Sequence, residues 1–264
     1  MELRMTAAET RKTETASARY LTLHAWSPNE VLESLLESQL AAVAAVRSAL
    51  PAIAGAVEAA IPQLRNGGRL VYAGAGTSGR IAVQDGAELT PTFGWPAERI
   101  VLLIAGGEAA LTRAIENAED DQDRALRDLA EARVDANDVV VGIAASGTTP
   151  YTLACLREAA RRNAVTVAVA NNPDTPLLKA ATYPILVETG SEPVAGSTRL
   201  KAGTAQKIVL NLFSTLLMIR LGRVWRGQMV DMKVTNEKLR RRAERMLESL
   251  TGKDNSAVKN ALEA

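Results

Sequence analysis

The chain has 264 residues, 47% of them hydrophobic, with 31 Lys plus Arg against 30 Asp plus Glu. That length buries a full core and lies near the upper limit for one domain, so one main domain with helical extensions is expected rather than two equal ones. The near-cancelling charges exclude a strong field that would draw the chain onto nucleic acid or an anionic membrane, so any phosphate it binds must be held by local geometry.

The opening segment, MELRMTAAETRKTETAS, is charged where a signal peptide needs an apolar stretch, and the expected compartment is the cytoplasm. His24, the one histidine, reads as an exposed or packed side chain. Residues 29–65 carry apolar positions at helical spacing, with a start at Ser27 and Pro28 and breaks at Pro51 and Pro62, which predicts two or three helices. Short β-rich runs ending in small-residue loops follow: RLVYAGAGTSG, RIVLLIAGGE, DVVVGIAASGTT, AVTVAVANNP and YPILVET. Helical stretches separate them, among them Leu111 to Ala132 and Pro150 to Asn163. Cys155 falls in the second of these; as the single cysteine it excludes an intrachain disulfide framework or a cysteine metal site and reads as a buried small hydrophobe. A long apolar helix is predicted from Lys201 to Val224, as core or interface; its greasiest run, Ile208 to Ile219, is interrupted by Asn211 and Ser214. A charged helix begins at Asn236.

Continuous apolar strands alternating with helices predict an α/β fold: a mostly parallel sheet covered on both faces, a three-layer sandwich. The expected organisation is a helical arm over 1–50, the main domain over 51–235 and a helical tail over 236–264.

Two loops carry the chemistry. GAGTSGR, at 74–80, follows a strand and opens a helix, so its free N–H groups and the helix dipole form an anion site. The string also matches GxGxxG. A dinucleotide reading is weighed against it, because Thr77 and Ser78 put hydroxyls where a pyrophosphate site mainly uses bare backbone, and the next strand ends in AGGE rather than an isolated acid. AASGTTP, at 144–150, repeats the arrangement with Pro150 in the first helical turn. If the loops converge, hydroxyls of Ser78, Ser146, Thr148 and Thr149 plus backbone N–H groups can hold one phosphate without an arginine clamp. The plainer alternative is that these residues cap their own helices.

The stretches GAGTSGR, DGAELTPTFG, AGGE, NAEDD, GIAASGTTPY, GSTRLKAGTAQK and MVDMKVTNEKL, in that order over roughly 65–240, resemble the N-acetylmuramic acid 6-phosphate etherase family. The resemblance implies the sugar isomerase (SIS), flavodoxin-like fold and a homodimer that works without metal or cofactor. It implies a carbon–oxygen lyase that cleaves the D-lactyl ether to give N-acetylglucosamine 6-phosphate and D-lactate. The same resemblance makes Glu88 of DGAELTP the principal acid/base and Glu119 of NAEDD a second functional carboxylate. Read without it, Glu88 precedes a proline and Glu119 lies in an acidic cluster that suits a solvated face. Substrate contacts are implied for Gly76, Thr77, Ser78, Glu108, Ser146, Gly147, Thr148, Thr149, Ser197 and Lys201, with a loop-ordering role open for Glu108 and a helix-end charge open for Lys201. Opening the sugar ring exposes an aldehyde that acidifies the neighbouring C–H, and one carboxyl group tuned toward neutrality can serve as base and then acid.

The chain departs from the family at three places. Thr148 stands where SGRTP usually has arginine, the opening TETASARYLTLHAW is only loosely similar, and the sequence ends at Ala264, ahead of a further helical segment common in the family. A phosphosugar isomerase or a non-catalytic sugar-phosphate sensor on the same scaffold are the alternatives; retention of both carboxylates favours catalysis. If the helix opened at Ser78 runs on to Glu88, that carboxylate lies about 15 Å along the axis from the phosphate loop, which points to a site shared across a two-fold interface; the alternative is a helix that breaks early and folds Glu88 back into its own site.

Overall fold

The computed structural model describes residues 11–232 and 237–263. The start of the N-terminal segment and the expected boundary at 235–236 lie outside the described residues.

Helix α1 (Pro28–Ala45) starts where the sequence reading places it. Ser27 accepts from Glu30 N while the Glu30 carboxylate accepts from Ser27 N, a reciprocal capping box with Pro28 in the first turn. A 3-10 turn at Val46–Ala49 leads into α2 (Leu50–Arg65). Pro51 sits in the first turn of α2, where its missing N–H costs nothing, but Pro62 lies inside the helix and does not break it. Its ring is accommodated in the last turn, where Ile61 and Leu64 are buried in the core.

The sheet contains β1 (Leu70–Gly74), β2 (Ile100–Ile104), β3 (Val139–Ile143), β4 (Val165–Ala170) and β5 (Tyr183–Leu186), the five runs read from the sequence. All pairings are parallel, in the order β2-β1-β3-β4-β5. Alternate residues of each strand feed two cores. Leu70, Tyr72, Val139, Val141, Val167 and Val169 face a layer formed by α2, α3 (Gly76–Phe93) and α7 (Lys201–Arg220). Val71, Ala73, Val140 and Ala168 face α4 (Gln122–Glu131), α5 (Pro150–Arg161) and α6 (Pro176–Ala180). Burial on both faces explains why the central strands β1, β3 and β4 read as continuous apolar runs, while the edge strands β2 and β5 are partly exposed. Beyond α7 lie a two-stranded hairpin of β6 (Val224–Trp225) and β7 (Gln228–Met229), then α8 (Glu237–Thr251) and α9 (Asn255–Glu263).

The helix predicted from 111 to 132 is shorter. Asn117 takes a left-handed conformation at φ 57°, a 3-10 turn spans Ala118–Asp120, and the Asp121 carboxylate caps α4 by accepting from Arg124 N. Local polar side chains here outcompete a continuing helical ladder. The helix after 150 ends at Arg161, and the apolar helix ends at Arg220, four residues before the expected Val224. Cys155 is fully buried, and burial pushes its thiol well above the usual range.

Helix α7 is apolar on most sides because α1, α2 and α3 all pack against it. Its two polar interruptions have a partner. Asp85 of α3, 2% exposed, accepts from Asn211 Nδ2 at 2.6 Å, Ser214 Oγ at 3.3 Å and the Tyr72 hydroxyl of β1 at 2.9 Å. Burial, followed by the Asp85 charge, holds the Tyr72 hydroxyl far above its ordinary pKa.

Candidate active site

Strand order reverses between β1 and β3. β1 sends its crossover helix α3 toward β2 on one side, while β3 leads through α5 to β4 on the other. The loops leaving the carboxyl ends of these adjacent strands therefore splay apart and leave a crevice, as parallel α/β sheets do at a topological switch point. A cavity of about 500 Å³ fills it. Gly76, Thr77 and Ser78 line it from the first loop, and Ser146, Thr148 and Thr149 from the second.

Both helices that open onto this cavity begin without a side-chain cap. The residue preceding α3 is Ala75, which has no acceptor to offer, and Thr149 ahead of α5 makes no capping bond. By contrast α1 is capped by Ser27, α4 by Asp121, and α7 by the fully buried Glu192 carboxylate, which accepts from Lys201 N and Ala202 N at 2.9 Å each. The loop hydroxyls thus do not serve their own helix ends. In α3 the first intrahelical bond runs from Gly79 N to Ala75 O, leaving the N–H groups of Gly76, Thr77 and Ser78 ahead of the ladder. In the second loop Ser146 Oγ is a hub, with Thr148 N at 3.2 Å, Thr148 Oγ1 at 3.3 Å and Thr149 Oγ1 at 3.4 Å. Uncapped donors and clustered hydroxyls on two positive helix ends form an anion site.

Two glycines make this geometry possible. Gly79 brings α3 against β1: a Cβ there would lie 2.9 Å from Gly74 O and 2.8 Å from Ile104 Cγ1. Gly147 has φ +70°, donates its N–H to Ala144 O at 3.0 Å, and has no room for a side chain, since a Cβ would lie 2.4 Å from Thr175 Cβ. Gly147→Ala is expected to cost about 1–3 kcal/mol through left-handed strain and overlap. Urea denaturation checks this, and calorimetry with inorganic phosphate should show weaker binding, because the displaced loop carries the Ser146 hub.

The structure places the remaining expected site residues in several locations. Glu119 lines the cavity from the 3-10 turn after Asn117. Glu88 does not line it: α3 runs without a break from Gly76 to Phe93 and presents Glu88 to solvent, about 15 Å along the axis from Ser78. Exposed Glu108 lines a smaller recess at the β2 edge, beside Arg124 and Asp128. Ser197 is absent from the lining, although its neighbours Gly196 and Thr198 belong to it. Lys201 is buried, donates Nζ to Thr189 O at 2.9 Å and borders a separate groove with Arg19 and Glu37. Burial lowers its pKa, with Glu192 opposing the shift.

Sequence reasoning missed Arg11, Glu14 and Asp120, which also line the cavity. Arg11 and Glu14 come from the 3-10 turn Lys12–Glu14 and the residue before it, and no periodicity or strand–loop–helix pattern marks them; only the folded chain brings them to the loops after β1 and β3.

Comparison with known proteins agrees with this architecture. Residues 52–160 match the family described as "Glucokinase regulatory protein N-terminal SIS domain", and residues 115–216 match the SIS domain. A phosphoheptose isomerase from Francisella tularensis superposes with a TM-score of 0.56 at 21% identity, covering 74% of this chain and 100% of that one, which is a likeness of fold. An N-acetylmuramic acid 6-phosphate etherase of Deinococcus radiodurans is 50% identical over 252 residues, 96% of this chain and 83% of the relative. The etherase of Symbiobacterium thermophilum is 51% identical over 234 residues, 89% of this chain and 78% of that relative. With identity at this level across nearly the whole chain, the protein belongs to the N-acetylmuramic acid 6-phosphate etherase family.

Proposed function

We propose that this chain is a cytoplasmic carbon–oxygen lyase that cleaves the D-lactyl ether of N-acetylmuramic acid 6-phosphate, giving N-acetylglucosamine 6-phosphate and D-lactate in the recycling of peptidoglycan amino sugars. The observation that carries the reading is the pair of uncapped helix ends sharing one hydroxyl-rich cavity, in a chain half identical to named etherases. The phosphate binds between Ser78 and Ser146. In the ring-opened sugar, a carboxylate removes the proton on the carbon beside the aldehyde, lactate leaves from the next carbon, and water adds to the resulting alkene.

Glu119 supplies one carboxylate from within the subunit. Glu88 supplies the principal acid/base group from a partner subunit, the protein being a homodimer with paired sites. Two features support this. The unbroken α3 holds Glu88 away from its own phosphate loop. The same helical layer exposes an apolar stripe, Leu32, Leu36, Leu40 and Val43 at 50–64% exposure on α1, continued by Leu212 and Ile219 on α7. Leucines at i, i+4 and i+8 left in water are an unpaired helix face, which a second copy would cover.

Incubation with N-acetylmuramic acid 6-phosphate and a panel of sugar phosphates tests the activity: D-lactate release from the first alone is expected. An isomerised product, or binding without turnover, would replace the etherase reading by an isomerase or a regulatory one. Crystals soaked with a sugar phosphate should show the phosphate between Ser78 and Ser146; its appearance elsewhere, or a dinucleotide on the first loop, removes that assignment.

A further inference from the structure

The segment Arg11–Thr15 is pinned across the mouth of the crevice by its middle residue. Thr13 is 0% exposed, although it sits in a single 3-10 turn, Lys12–Glu14, whose other two residues are exposed. Its N–H donates to Asn172 Oδ1 at 3.4 Å, its hydroxyl accepts from Asn172 Nδ2 at 3.0 Å, and its carbonyl accepts from Gly196 N at 3.0 Å. Asn172, itself 2% exposed, also donates to Ala145 O at 3.0 Å, so the strap is tied directly to the second phosphate loop. On either side of this anchor, Arg11 and Glu14 line the cavity.

The cavity has an uneven charge inventory. Its ionisable lining is acidic at Glu14, Glu119 and Asp120 and basic at Arg11. Arg199, beside the lining Thr198, is exposed and does not itself line the cavity, and three other nearby cations are committed elsewhere. Lys12 pairs with Glu188 at 3.1 Å, Arg80 donates to the carbonyls of Ala110 and Arg113, and Lys201 donates to Thr189 O. Among the described residues, the Arg11 guanidinium makes no ion pair or hydrogen bond.

Resting on the etherase reading above, the substrate carries two anions several bonds apart, a phosphate on the C6 oxygen and a carboxylate in the C3 ether. The loops after β1 and β3 already provide the donors for the first. The second would enter a cavity bordered by three carboxylates and needs a cation facing it. A planar guanidinium offers two parallel N–H donors that match a carboxylate. We propose that Arg11, held on the Thr13-pinned strap, recognises the substrate's lactyl carboxylate and so distinguishes the ether substrate from the hexosamine phosphate that the reaction produces.

The test compares ligands with and without that carboxylate in Arg11→Gln, Arg11→Lys and Thr13→Val. Arg11→Gln is expected to raise KM for N-acetylmuramic acid 6-phosphate roughly 10- to 100-fold, the worth of a charge-assisted contact. The inhibition constants of N-acetylglucosamine 6-phosphate and inorganic phosphate should stay within about twofold of the unsubstituted protein, since neither carries the group that the guanidinium binds. Arg11→Lys should fall between, keeping the charge but losing the fork. Thr13→Val should reproduce the selective loss by freeing the strap. Because Arg11 is exposed, its variants should melt with the unsubstituted protein. Equal losses for all three ligands would show that Arg11 serves the phosphate, and unchanged constants would show that it serves neither; either result overturns the assignment. If the unsubstituted protein releases no lactate, the failure lies with the etherase reading instead.

Discussion

Replacing Glu88 with Gln is expected to lower turnover by about 10²- to 10⁴-fold, the usual contribution of a positioned acid/base group, while leaving sugar-phosphate binding intact. The substitution keeps size and hydrogen-bonding capacity at an exposed position of α3, so the fold should be unaffected. The more decisive measurement mixes Glu88→Gln with Ser78→Asp, each inactive alone. In a shared-site dimer, one site of each mixed pair combines an intact phosphate loop with an intact Glu88, and the other combines both defects. Random exchange puts half the molecules in mixed pairs with one working site of two, so about a quarter of the unsubstituted activity should return. If native mass spectrometry detects the mixed pairs and activity stays absent, Glu88 acts within its own subunit or not at all. The continuous helix makes the first of those hard to satisfy, because reaching its own cavity would require α3 to unwind between Ser78 and Glu88.

The second large effect concerns the residue one helical turn before Glu88. Asp85→Ala should destabilise the protein by about 2–4 kcal/mol, because it strands the buried hydroxyls of Tyr72 and Ser214 and removes the acceptor of Asn211. Chemical denaturation measures the loss. Tyr72→Phe should cost less, about 1 kcal/mol, since it deletes a single donor and leaves Asp85 two others. A double-mutant cycle between Asp85→Ala and Asn211→Ala should show coupling of about 0.5–3 kcal/mol, whereas additive losses would mean that the contact contributes nothing. This network ties α3 to α7, and thereby fixes the height at which Glu88 stands on the helical layer.

Elements that depend on local pattern are readable from the residues alone. The strands are legible as apolar runs, continuous in β1, β3 and β4 because both faces are buried, and the two small-residue loops are legible because strand, small residues and helix succeed one another within a few positions. The start of α1 is equally local, being encoded in Ser27, Pro28 and Glu30. Local pattern misled where a polar side chain had a choice of partner. Residues 111–121 carry helical residue types, yet Asn117 and Asp121 turn the chain and recap it. What meets across long sequence separations is set by packing. Asn211 and Ser214 read as flaws in a greasy helix until Asp85, 126 and 129 residues away, supplies their acceptor. Lys201 reads as a ligand for an anion, but the folded chain buries it and spends its ammonium on a carbonyl. Arg11 and Glu14 have no signature at all, because what brings them to the cavity is Thr13 bonding to Asn172, 159 residues away. A site built at a switch point takes its loops from adjacent strands, which periodicity reveals, and its walls from wherever the chain happens to cross, which only packing decides.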